Sequence, residues 1–160
     1  MNTPRRAQSL KRARARNTQR LVTVWEPHDP AVLRVGFRLF DDVTVLREYC
    51  VQQVGHAQDA VQVFGRYCSP SDHLRCQHWR AIDEKVETMW GVFDDLVQTA
   101  QLDVTQCQVA YRDLTWICMV WLCVKGSAEF LGLIGQIRKN VCRLLIHYRQ
   151  WHGRRGRVSS

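Results

Sequence analysis

The stretch 127–151, SAEFLGLIGQIRKNVCRLLIHYRQW, has a large apolar residue at every third or fourth position. Such spacing places one apolar stripe along a helix and predicts that the stripe packs against another element. Ser127 is the predicted N-cap of this helix, and Glu129 lies near its positive end. The residues of this C-terminal stripe are Phe130, Ile134, Ile137, Val141, Leu144, Tyr148 and Trp151.

A second stripe of the same spacing predicts a long helix over residues 72–100. Its apolar positions are Ile82, Val86, Met89, Phe93 and Leu96. Two such helices indicate helix-on-helix packing, within the chain or across a dimer. A helix of about 22 residues is about 33 Å long, comparable to the diameter of a small domain. We therefore expect the distal half of the C-terminal stripe to form a self-association contact in a homo-oligomer.

The region before these helices alternates between apolar and polar residues with the period of a strand. Residues 21–25 are apolar and β-branched, and residues 27–30 are turn-forming. We predict a β-hairpin over 21–40, followed by a helix that begins after Asp41 and Asp42. The fold class is therefore α+β and mostly helical. The apolar face of the hairpin would consist of Leu33, Val35, Phe37 and Leu39.

Residues 114–124 are apolar nearly all round, which predicts a helix buried on every side. Eleven residues span about 16 Å as a helix, against about 30 Å for the hydrocarbon core of a membrane. We therefore predict a core helix, with Trp116 and Trp121 as packing residues, and no membrane span.

The basic residues are concentrated at the two ends of the chain. The formal net charge is +8, yet residues 21–151 hold thirteen Lys and Arg against fifteen Asp and Glu. Such charge runs predict a disordered Arg-rich arm over 1–19, one globular domain over 20–151 and a disordered Gly/Arg tail over 152–160. The terminal cations are Arg5, Arg6, Lys11, Arg12, Arg14, Arg16, Arg20, Arg154, Arg155 and Arg157.

Four potential metal ligands occur within eleven positions around a proline-containing turn. They are Cys68, His73, Cys76 and His78. Zinc accepts such ligands, but the spacing matches no standard finger, and Cys76 and His78 would point about 200° apart on a helix. A buried thiol beside surface histidines is the favoured interpretation, and a zinc site is the alternative. No other cofactor is predicted.

Motifs for catalysis or secretion are missing from the sequence. It has no Gly-rich phosphate loop and no G-x-S-x-G elbow, and the acids of residues 83–95 fit the solvated side of a helix. We therefore predict a non-enzymatic protein. Seven cysteines and no apolar leader argue against secretion, so we expect a location in the nucleus or cytoplasm.

The Arg-rich ends suggest contact with a polyanion. Nineteen Arg against four Lys favour bidentate phosphate contacts, and the overall composition fits a compact viral genome. We interpret the chain as a viral, nuclear or virion-associated accessory protein that binds RNA or DNA with little sequence specificity. One alternative is a helical adaptor that regulates host or viral factors, with the arm serving only to bind a nuclear import receptor. Another is a peripheral membrane protein that uses the basic amphipathic helix at 127–151.

Overall fold

The computed structural model describes the backbone of residues 23–158 and side chains as far as residue 155. Almost all of this part of the chain is helical. The elements in order are β1 (Val24–Trp25), α1 (Pro30–Phe64), a 3-10 turn (Gly65–Tyr67), α2 (Pro70–Thr99), β2 (Leu102–Asp103), α3 (Val104–Val120) and α4 (Ala128–Val158).

The four helices surround one apolar core. Helix α1 packs against α2 and α4, and α3 packs against the same two helices. Because the connections are short, consecutive helices run antiparallel. The two remaining elements form a small antiparallel sheet, in which Val24 pairs with Asp103 and Trp25 pairs with Leu102. Both helix-to-helix turns, at 65–69 and 121–127, consequently lie at one end of the helices, which we call the turn end. The sheet and the last turns of α4, from residue 148 onward, form the strand end.

The predicted hairpin over 21–40 is wrong, because residues 30–64 form the single helix α1. Asp29 is its N-cap: the Asp29 side chain accepts a hydrogen bond from the Ala31 amide at 2.9 Å, and Pro30 occupies the first turn. Asp41 and Asp42 lie inside this helix and start no new one. Of the predicted apolar face, Leu39 is buried and Phe37 is exposed.

The buried side of α1 has helical rather than strand periodicity. Its core residues include Val32, Gly36, Leu39, Val43 and Leu46, which are separated by steps of four and three. Gly36 lies at a close approach of α1 to α2, since a Cβ atom there would be only 2.6 Å from Cδ2 of Leu96. The strand-like alternation therefore reflects a helix whose inner positions include a glycine.

The two predicted amphipathic helices are confirmed as α2 and α4, and the fold is mostly helical as expected. The amide of Phe130 donates to the Ser127 side chain at 3.1 Å, as predicted for an N-cap. However, the C-terminal stripe is covered from within the chain. Leu144 is completely buried, and Tyr148 and Trp151 pack against Trp25. The stripe therefore gives no reason for self-association.

The apolar run 114–124 does not form one fully buried helix. Helix α3 ends at Val120, and both Met119 and Leu122 are 76% exposed. Trp116 and Trp121 pack against the core while remaining partly exposed. Among the described helices, none is long and apolar enough to cross a membrane.

Helix α4 continues to Val158. Residues 152–158, predicted as part of a disordered tail, are therefore helical. Gly153 and Gly156 cost helix stability but do not end the helix, and no proline follows the C-terminal stripe. The predicted arm over 1–19 lies outside the described residues, as do residues 159 and 160.

Candidate nucleic-acid interface

Trp25 fixes the place where the N-terminal segment joins the folded part of the chain. It is 3% exposed, and its ring lies 5.6 Å from the ring of Tyr148 and 6.0 Å from that of Trp151, between centroids. The carbonyl of Thr23 accepts a hydrogen bond from the Val104 amide at 2.9 Å. Residues 1–22 therefore connect to the body at the strand end, beside the last turns of α4.

Helix α4 is strongly basic. Glu129 in its first turn is its one acidic residue. Helix α2, by contrast, has six acids and three bases. Although the body is near-neutral as a whole, its charge is uneven, since α2 is acidic and α4 is basic. The cations of α4 are Arg138, Lys139, Arg143, Arg149, Arg154, Arg155 and Arg157.

Four of these cations form what we call the basic surface: Lys139, Arg143, Arg149 and Arg154. All four are exposed. Within the described part of the chain none of them forms an ion pair, and Arg143 makes one weak hydrogen bond, from Nη1 to the Asn140 side chain at 3.4 Å. Lys139 and Arg154 are separated by fifteen positions, or about 22 Å along the helix. The basic surface therefore offers charged donors that are free to meet an anion.

A groove between α1 and α4 extends the basic surface. Its lining includes Arg38 of α1 together with Lys139 and Arg143 of α4. Asp42 lies at its edge, where its carboxylate accepts a long hydrogen bond from Gln136 at 3.5 Å. Burial raises the pKa of Asp42, the nearby Arg38 lowers it, and Asp41 adds to the increase. One carboxyl group therefore borders a groove whose charged lining residues are Arg38, Lys139 and Arg143.

Arg138 serves a different purpose from its exposed neighbours. Its Nε donates to the Thr115 hydroxyl at 3.1 Å, and its guanidinium lies 5.0 Å from the centre of the Tyr111 ring. Both partners belong to α3. Arg138 therefore joins α4 to α3 and adds little to the basic surface.

A buried cation lies between α1 and α2. Arg47 forms a bidentate ion pair with Glu87, at 2.6 and 3.0 Å, and its guanidinium lies 4.0 Å from the centre of the Trp90 ring. The Trp90 indole in turn donates to the Thr44 hydroxyl at 3.0 Å. Arg47 is only 6% exposed, so this cluster holds the two helices together and is closed to a ligand. The partners are 40 positions apart in the sequence, so no local pattern predicts this cluster.

The predicted metal ligands do not converge. The Cys68 thiol points to the Ala60 carbonyl at 3.5 Å, His73 is exposed, Cys76 is buried, and His78 lies 6.3 Å from the Trp116 ring. Over residues 23–158, no group of three His, Cys, Asp or Glu side chains could hold a metal ion. The structure therefore does not assemble a zinc site from these four residues.

Two cysteines are buried deeply enough to lose their reactivity. Burial raises the pKa of both the Cys50 and the Cys107 thiols to about 12, with smaller contributions from Asp83 and Asp103 respectively. A thiol with such a pKa is almost entirely protonated at neutral pH. Neither group is therefore suited to act as a nucleophile.

Comparison of the chain with protein-family models, with curated proteins and with solved structures found no match. The candidate interface is therefore described from the positions and exposure of its own residues. Of the predicted phosphate-binding residues, Arg154 and Arg155 lie on α4, Arg157 lies on its last turn, and the N-terminal cations fall outside the described residues. The sequence pattern predicts a basic amphipathic helix at 138–149 but does not indicate that its charges lie near the attachment of the N-terminal segment.

Proposed function

We propose that this protein binds RNA or DNA through phosphate contacts, without catalysis and with little sequence preference. The observation that carries the proposal is the packing of Trp25 against Tyr148 and Trp151, which attaches the N-terminal segment, with its seven cations, beside the last turns of α4. The exposed cations of α4 add positive charge next to this attachment point. The role suggested by this chemistry is that of a nuclear or virion-associated accessory protein.

The dimensions of the basic surface suit a polyanion. Duplex DNA carries one negative charge per about 1.7 Å of axis, so the 22 Å of helix, about fifteen residues, faces roughly a dozen phosphate charges. Arginine side chains can bind phosphate oxygens in a bidentate manner. The aromatic rings at the strand end pack against one another, which leaves phosphate contact rather than base stacking as the main interaction.

The test compares two variants that each lose three positive charges. The first is a triple variant that removes most of the basic surface: Lys139→Gln, Arg143→Gln and Arg149→Gln. The control is a triple variant that removes exposed cations elsewhere: Arg34→Gln, Arg66→Gln and Arg112→Gln. If each α4 residue contacts a phosphate, the first variant should flatten the slope of log K against log salt on duplex DNA by about 2.7. The control should change the slope little. Affinities would be measured by fluorescence anisotropy at several salt concentrations.

Equal effects of the two variants would mean that only net charge matters, and would contradict a localised interface. Full-length protein with Gln at the seven N-terminal cations tests the arm in the same assay. An unchanged slope in that variant would leave the arm as a localisation signal, as the adaptor interpretation predicts.

The adaptor is the second candidate function, and the turn end favours it. Several large apolar side chains are exposed there, which is common at protein–protein contacts. The partners recovered with the full-length protein from cells should be lost in the variant Phe64→Ser with Tyr67→Ser. Phe37→Ser with Val45→Ser, on the outside of α1, is the matched control. The exposed apolar residues at the turn end are Val63, Phe64, Tyr67, Leu74, Met119 and Leu122.

The membrane-surface interpretation requires an apolar face on residues 127–151 that is open to lipid. In the structure that face is the C-terminal stripe, and Ile134, Val141 and Leu144 have no exposed surface. Insertion into a membrane would require α4 to leave the core. The structure therefore supports this interpretation less than either of the other two.

A further inference from the structure

The outward side of α2 is covered near its C-terminal end. Gly91 and Asp95 are both buried, and Asp95 is only 7% exposed. With about 100° per residue, both positions lie about 160° from Phe93, which points into the core. Indeed every residue from Trp90 to Leu96 is buried. A helix at the edge of a four-helix core would normally leave such positions exposed to solvent.

The neighbouring helices pack against other sides of α2. Trp90 faces α1, where its indole donates to Thr44, and Lys85 faces α3, where it forms an ion pair with Asp113 at 3.1 Å. These contacts fall on the two flanks of α2, on either side of the core-facing position of Phe93. The outward side between them is left for another part of the chain.

A buried carboxylate lies at the border of the same surface. Asp94 is 4% exposed, and its Oδ2 atom has no hydrogen-bond partner among the described residues. A buried carboxylate needs a donor or a cation, because desolvation of an unpaired charge is costly. Glu84, about three turns before Asp95 on the helix, adds a further negative charge to this side. The chemistry of the surface is therefore suited to a basic segment.

The N-terminal segment is in the right place to supply it. It joins the body at Thr23, which is hydrogen-bonded to Val104, a few residues after the end of α2 at Thr99. Residues 1–22 carry seven Lys and Arg and no acid. Extended, 22 residues reach up to about 73 Å, which exceeds the length of α2, about 45 Å.

We propose that residues 1–22 dock along the outward side of α2, with their cations facing Asp94 and Asp95, and that nucleic acid displaces them. Docking pairs part of the positive charge of the arm with these carboxylates, so that the paired cations do not bind weak anions. A polyanion that engages the basic surface of α4 competes for the arm and releases it. Docking does not depend on the proposed function, whereas displacement does.

The experiment is zero-length carbodiimide cross-linking of the full-length protein, which joins a lysine amine directly to a carboxylate. Lys11 is the one lysine among residues 1–22. We expect Lys11 to be linked to carboxylates of α2, chiefly Asp94, Asp95 and Glu84, as identified by mass spectrometry. The variant Lys11→Arg keeps the charge and should lose these links, while the Lys85–Asp113 link remains as an internal control.

The docking proposal would be overturned if Lys11 were linked to carboxylates away from α2, such as Asp41 or Asp59, and not to those of α2. Mixing light and heavy isotope-labelled protein identifies links between two copies, and a majority of such links would also overturn it.

Adding duplex DNA or single-stranded RNA at low salt should reduce the α2 links at least tenfold. If the links persist although anisotropy shows binding, displacement is wrong. If no binding is seen and the links remain, the proposed function fails and the docking stands.

Discussion

The two ends of the molecule differ in what they leave exposed. At the strand end the aromatic residues are packed together and Trp25 is 3% exposed, while the nearby cations Arg149 and Arg154 are open to solvent. At the turn end the arrangement is reversed, since Tyr67 is 80% and Phe64 is 60% exposed. Helix α1, with 35 residues, separates these ends by about 52 Å. Charge-driven and apolar interactions could therefore take place on one molecule without competing for the same surface.

The difference has a structural origin in the lengths of the helices. Helices α1 and α2 have 35 and 30 residues, whereas α3 has 17. A short α3 cannot cover the full length of its neighbours, so the last turns of α1 and the first turn of α2 have fewer helices to pack against. At the strand end the small sheet and α4 supply that cover.

The largest expected effect is a loss of folding when a charge is placed on the inner side of α4, compared with the same change on its outer side. Leu144→Asp places a charge where the side chain is completely buried, at a cost of several kcal/mol, and should abolish cooperative folding. Ile146→Asp is the matched control, since Ile146 is 46% exposed on the same helix. Circular dichroism and urea unfolding would measure both. A folded Leu144→Asp protein that only loses self-association would restore the idea that the C-terminal stripe extends beyond the monomer.

The next largest effect is a change in the free energy of unfolding, compared for one aromatic residue from each end. Trp25→Ala removes a buried ring that contacts Tyr148 and Trp151, and should lower the free energy of unfolding by about 3–5 kcal/mol. Tyr67→Ala removes an exposed ring and should change it by less than about 0.5 kcal/mol. Urea denaturation provides both values. Similar losses in the two variants would show that the turn end is packed more tightly than its exposure indicates.

The strongly periodic helices could be predicted from the sequence, whereas α1 could not. Core positions at 82, 86, 89, 93 and 96 are all large and apolar, so their spacing was visible. In α1 the corresponding series includes Gly36, and the exposed Phe37 beside it produced an alternation resembling a strand. The pair Asp29–Pro30 is typical of a turn, but an N-cap followed by proline is also typical of a helix start.

The candidate site was only half predictable for a different reason. Charge clusters are local in sequence, so the basic ends and the cations of α4 were recognised directly. The attachment of the N-terminal segment beside α4 depends on the packing of Trp25 against Tyr148 and Trp151, which are more than 120 positions away. The two-residue strands that hold Trp25 in place are also too short to produce a recognisable pattern. No periodicity in the sequence encodes such a contact.

The smallest expected effect concerns the start of α2 at the turn end. Ser69 caps this helix in a capping box: its hydroxyl accepts from the Asp72 amide, and the Asp72 carboxylate accepts from the Ser69 amide, both at 3.2 Å. Ser69→Ala should cost about 1 kcal/mol. The Ser69 hydroxyl also donates to the Asp72 carboxylate at 2.8 Å, and this bond first, with the bond from the Ser69 amide second, lowers the pKa of Asp72.

The cost of Ser69→Ala should also depend on pH in a defined direction. A carboxyl with a lowered pKa stabilises the folded state above its ordinary pKa, and this contribution is lost as the pH falls through the folded value. The difference in melting temperature between Ser69→Ala and the unmodified protein should therefore narrow in acid. Ser127→Ala is the control, because Ser127 caps α4 by accepting from Phe130, a residue without a carboxylate. If the difference in melting temperature between Ser69→Ala and the unmodified protein is the same at neutral and acidic pH, the Ser69 hydroxyl stabilises the helix start independently of the Asp72 charge.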